Sequence, residues 1–198
     1  MPAPLLVAAG WVLVTPTTLP PVLRPGLPPV ILTLSDCIQE DLPQPPGGTW
    51  FTDRDAADRA RAEHAPHASV VGVALTSAGG AALCAQALPD PYGALEVLRR
   101  QEPVAPAERV LGWEVVGADD WFDLHSWHCH GYADEVATAL GIRTNSRGLL
   151  ASHAEASTVL HWMLTRPSAE APAPVPWFPV ALTASPAADR ALAHAPRP

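Results

Sequence analysis

Apolar positions along this chain fall into short blocks separated by proline- and glycine-rich stretches, and most of the blocks read as strands. Leu5–Val14 (LLVAAGWVLV) is a ten-residue apolar run, too short for a helix to span a bilayer, and it reads as a buried strand broken at Gly10. Thr15–Pro29 carries prolines too dense for a helix or a central strand, and Val30–Leu34 resumes as a short β-branched strand. Ser69–Leu75 and Ala81–Ala87 are apolar runs joined by Thr-Ser-Ala-Gly-Gly, which predicts a hairpin with Cys84 in its second strand. Val110–Val116 (VLGWEVV) is a further strand. Its alternation puts Leu111, Trp113 and Val115 on one face and Gly112, Glu114 and Val116 on the other. If both faces are covered, Glu114 needs a partner, with Arg143 and Arg147 as candidates.

Helical periodicity is confined to a few segments. Thr52-Asp53-Arg54-Asp55 has capping-box spacing and opens an alanine-rich helix to about His64; Pro91–Gln101 is a second helix, with Leu95 and Leu98 on one face. A helix from Ser126 to Leu140, ended by Gly141, would line up Cys129, Tyr132, Val136 and Ala139/Leu140; Gly131 allows it to start later instead. Ile142–Leu150 is a loop turned by Asn145 and Gly148. Ser152-His153-Ala154-Glu155 is a capping box for a helix bearing Ala156, Val159, Leu160 and Met163, which stops before Pro167. The expected class is α+β: an antiparallel sheet of about four to five strands with three to four helices packed on it. It forms one domain over residues 1–185, with 186–198 as a disordered tail. No βαβ unit with a glycine-rich turn is present, which argues against a nucleotide-binding doubly wound fold.

Composition narrows the function classes. With 48% hydrophobic residues in 198, the chain has material for a core, and its 24 prolines limit regular structure. The formal net charge is −8 and all basic residues are arginine, so Schiff-base lysine chemistry and a phosphate-loop lysine are excluded. An acidic chain without a basic stripe is not built for nucleic acid. Three cysteines with no paired spacing read as free thiols of a cytoplasmic protein.

The segment from Leu111 to Met163 resembles a group of small, uncharacterised bacterial proteins. These carry a G-[FYW]-E-[IV]-[LV]-G strand, an H-S-[WY]-x-C segment and an N-x-x-G-L loop. The matching positions are Gly112, Trp113, Glu114, Gly117, His125, Ser126, Trp127, Cys129, Asn145, Gly148 and Leu149. His128 and His130 flank the matched cysteine and lie outside the pattern. The resemblance implies no particular activity. It implies one bacterial cytoplasmic domain and, by analogy, an immunity or accessory role.

Three chemistries compete around the pattern's middle. His125, His128, Cys129 and His130 offer imidazoles and a thiol within six residues, a donor set suited to Zn²⁺ or Cu, with Asp123, His153, His161, His64 or His67 to complete it. Against this, structural zinc sites show two separated ligand pairs. The bland alternative makes Cys129 core, His125 a hydrogen-bonded residue at the helix start, and His128 and His130 solvent-facing. Cys129 with His125 and Asn145 has the residue types of a cysteine nucleophile, base and orienter, although two residues side by side on one helix are poorly placed for it. Ser126 is a natural N-cap. The third chemistry is acid–base work by the clustered carboxylates of Asp119, Asp120 and Asp123, although aspartates ahead of a helix N-terminus also simply suit the helix dipole.

With Trp121 and Trp127, these aspartates could instead form an exposed recognition surface. That is the leading expectation: a non-enzymatic acidic protein, with no cofactor and no membrane association, binding a basic partner encoded nearby, as an immunity or accessory protein of a conflict or biosynthetic locus does. A metal- or thiol-dependent enzyme centred on His125 and Cys129 is the alternative.

Overall fold

The computed structural model describes residues 4–39, 42, 50–86, 90, 93–119, 123–167 and 171–194. Seven strands occur in this order: β1 (Leu6–Val14), β2 (Thr17–Thr18), β3 (Val30–Ile31), β4 (Ser69–Thr76), β5 (Arg109–Ala118), β6 (Leu124–Ser126) and β7 (Trp177–Ala184). The α-helices are α1 (Arg54–His64), α2 (Ser77–Ala85), α3 (Ala94–Arg100), α4 (Ala133–Leu140), α5 (His153–Leu164) and α6 (Pro186–His194). Five strands form one antiparallel sheet in the order β1-β4-β7-β5-β6, and β2 and β3 form a separate ribbon. The fold is α+β, as the patterning predicts.

Both faces of the sheet are covered. On one, Trp113, Val115 and Ala181 pack with Val136 of α4 and with Ala156, Val159 and Met163 of α5. On the other, Val71, Val73, Leu75 and Leu182 pack with Leu83, Leu95, Leu98 and Leu192 from α2, α3 and α6. A smaller cluster of Leu13, Val70 and Ala57 seats α1 at the β1 end. β1 shifts register between Ala8 and Gly10, the break expected at that glycine. β5 shifts between Val110 and Gly112. That bulge turns Leu111 to the opposite side from Trp113 and Val115, into the cluster of Val116 and Ala118, against the plain alternation.

Three segments depart from the sequence expectation. The run after Thr76 is α2 and not a hairpin strand, so Cys84 is helical. Thr76 Oγ1 accepts the Gly79 amide at 3.0 Å and caps the helix, and a Cβ on Gly80 would lie 3.2 Å from Leu98. Gly80 therefore serves close packing of α2 on α3, while Gly79 leaves room for the Thr76 cap. Second, the proline-rich stretch after Ser168 contains the sheet's middle strand. Pro179 opposes Val115, while β4 pairs only with Ala181–Thr183, so the proline lies where one side of β7 has no strand to receive a donor. Third, the expected tail from residue 186 carries α6 over Pro186–His194, held by a core contact of Leu192 and an ion pair between Asp189 and Arg147; residues 195–198 lie outside the described residues.

Candidate functional site

The His-Ser-Trp-His-Cys-His segment does not form the helix face that its spacing suggests. His125 belongs to β6, opposite Gly117. Ser126 caps the next turn, its Oγ accepting the His128 amide at 3.1 Å. Trp127–His130 is a 3₁₀ turn, closed by Gly131 at φ +69°, a conformation glycine adopts without strain; α4 starts only afterwards. At three residues per turn, successive side chains of the 3₁₀ segment point about 120° apart. His128, Cys129 and His130 therefore diverge.

His128 goes inward. Expected at the surface, it is buried; its Nε2 lies 2.9 Å from the Gly148 carbonyl and so carries the proton it donates there. Its Nδ1 lies 3.1 Å from Glu114 Oε1, outside hydrogen-bond geometry. Glu114 is itself fully buried on β5. Its Oε1 accepts from the hydroxyls of Thr33, at 2.6 Å, and Ser126; its Oε2 accepts the Leu34 amide at 2.9 Å. The need for a partner is met by two hydroxyls and a backbone amide, not by Arg143 or Arg147; Arg147 pairs with Asp189. A buried carboxylate is tolerated only with such full coordination.

Cys129 is half-buried and not a core residue on the face of Tyr132 and Val136; its Sγ meets Ser35 Oγ at 2.8 Å. Burial lifts its thiol above the ordinary value, and the hydrogen bond from Ser35 only partly offsets this. His130, half-buried, stacks on Tyr132 with ring centroids 5.1 Å apart and meets the edge of Trp177 at 5.6 Å. Burial, then the nearby His125, lower its pKa. Trp127, expected as an exposed recognition residue, is buried at 1% exposure with Val136 and Trp177.

These placements separate the residues grouped by the two catalytic readings. Strand alternation puts His125 on the face opposite Ser126, whose hydroxyl reaches Glu114, and His125 influences His130 there, whereas Cys129 turns toward Ser35. Asn145 orients no histidine. Its Oδ1 accepts the amides of Arg147 and Leu149 and its Nδ2 donates to the Leu111 carbonyl, which fixes the 145–149 loop against β5. Among the described residues, no three His, Cys, Asp or Glu side chains gather as a metal-binding group.

The acidic residues sit where β5 leaves the sheet. Asp119 is partly exposed, with His125 Nε2 3.9 Å away, and its Oδ1 accepts the Asp123 amide at 3.1 Å. Asp123 is exposed; partial burial of its carboxyl and then the charge of Asp119 raise its pKa, with His125 opposing them. Asp120 and Trp121 lie outside the described residues. Sequence reasoning missed Thr33 and Ser35, although two hydroxyls at i and i+2 within an apolar run (VILTLSD) signal a polar need on one side of an extended segment. No family model, curated protein or solved structure matches this chain.

Proposed function

We propose that this chain is a non-enzymatic acidic binding protein of the cytoplasm, an immunity or accessory protein whose partner is a basic protein encoded nearby. The observation that carries the reading is the inward use of its most reactive groups. His128 is buried and held by the Gly148 carbonyl, and the thiol of Cys129 is raised and hydrogen-bonded to Ser35. A nucleophilic cysteine needs the opposite shift. The pattern residues Glu114, Ser126, Asn145 and Gly148 thus support a scaffold, and chemistry toward a partner falls to the surface. There, the formal charge of −8 and the neighbouring carboxylates of Asp119 and Asp123 favour a cationic partner, whose approach relieves their mutual repulsion. No helix among the described residues is long and apolar enough to cross a membrane.

The test is co-expression with the product of the adjacent gene. A stable complex is expected, weakened about tenfold by Asp119→Asn with Asp123→Asn and weakened further by salt. Absence of co-purification, with no rescue from any toxicity of the neighbour, overturns the reading. Near-stoichiometric Zn or Cu in untagged protein, or rapid alkylation of Cys129 at neutral pH, would favour the metal- or thiol-dependent alternative.

A further inference from the structure

The N-x-x-G-L loop does more than close against β5: its two variable positions, Ser146 and Arg147, line a cleft of about 410 Å³. Small-molecule sites occupy roughly 300–1,000 Å³, so this cleft has room for a compact ligand. Pro16 and Pro28 form one wall and Leu192 at the end of α6 another. Proline rings hold a fixed backbone and offer no N–H, so that wall is rigid and apolar. Arg147 is clamped in place: its amide donates to Asn145 Oδ1 at 2.9 Å, and its carbonyl accepts from the Leu32 amide at 2.8 Å. Its guanidinium has five N–H donors, and one terminal nitrogen binds Asp189 at 2.5 Å. That carboxylate balances the positive charge and occupies one terminal nitrogen of a residue that lines the cleft.

We propose that the cleft binds a small neutral molecule with an apolar body and a carbonyl oxygen that accepts a hydrogen bond from Arg147. An anion would add a second negative charge beside Asp189, and a cation would meet the guanidinium itself; a neutral acceptor suits the balanced pair. The proposal is independent of the protein-partner reading.

Chemical-shift titration of the isotope-labelled full chain tests it, with methyl heptyl ketone as probe and nonanoate as its charged counterpart. Saturable ketone binding that shifts Ser146, Arg147 and Ala193 is expected, with nonanoate about tenfold weaker. Arg147→Met should weaken the ketone about tenfold, since one hydrogen bond is lost. Because that change also frees Asp189, a second variant leaves the ion pair alone: Ala193→Trp, at an exposed position of α6 lining the cleft, should block binding with the melting temperature unchanged. No saturable ketone binding, unchanged binding in Arg147→Met or in Ala193→Trp, or nonanoate bound as tightly as the ketone would each overturn the proposal.

Discussion

Glu114 shows how far one side chain's requirements can be read from a sequence. Alternation in VLGWEVV places it on a face that the sheet buries, and the need for compensation follows directly. The donors do not follow, because Thr33 lies 81 residues away and reaches Glu114 only after the fold has formed. Glu114→Ala should therefore cost about 3–5 kcal/mol in urea unfolding, since it strands two buried hydroxyls and the Leu34 amide. Glu114→Gln should fall between the variant and the parent. A loss under 1 kcal/mol for Glu114→Ala would show that the network contributes little beyond packing. Cys129 gives a prediction in pH. Its thiol is raised chiefly by burial, so little thiolate is present near neutrality, and exposed Cys37 should be alkylated by iodoacetamide well before it. Because the folded value lies above the unfolded one, the contribution of Cys129 to stability is complete below the usual thiol value of 9.0. It disappears as pH rises through the folded value. Cys129→Ala should remove that alkaline decline; an identical decline in the variant would assign it to other groups.

Elements with local signals were legible, and those defined by their neighbours were not. β5, α1 and α5 carry their own patterns, although α1 is capped by Asp53, which accepts the Asp55 amide, and not by Thr52 as the box spacing predicts; in α5, Ser152 Oγ accepts the Glu155 amide while Glu155 reaches the Ala151 amide, one residue earlier than in the standard capping box. By contrast, Pro176 and Pro179 speak against a strand at Trp177–Ala184, and only the place of β7 between β4 and β5 makes it one. The same holds for the 3₁₀ turn, whose short reach separates the histidines that helical spacing would group. The 145–149 loop is the element where a single atom decides the fit. Gly148 sits at φ +77°, and a Cβ there would lie 2.5 Å from Ile31 Cγ2 and 2.7 Å from its Cβ. Gly148→Ala should then lower stability by at least about 2 kcal/mol, from overlap and backbone strain together. It should also displace the carbonyl that receives His128, seen as altered imidazole signals in NMR; a variant with the parent's midpoint and imidazole signals would contradict this account of the loop.

At the scale of the whole molecule, the sheet order separates position in the chain from position in space. Of the sheet's five strands, β7 comes last along the chain and lies in the middle, hydrogen-bonded to β4 over Ala181–Thr183 and to β5 along its length. Without residues 177–184 no strand joins β4 to β5, and the inner edge of each lacks its partner. Such edges are templates for pairing with other chains. A chain stopped before Trp177 should accumulate as aggregates in size-exclusion chromatography, and a monomeric stopped chain with the parent's β-sheet circular dichroism would count against this. One insertion thus completes this sheet, and a chain that has not yet made it carries two open edges, the state in which a holding chaperone is of most use.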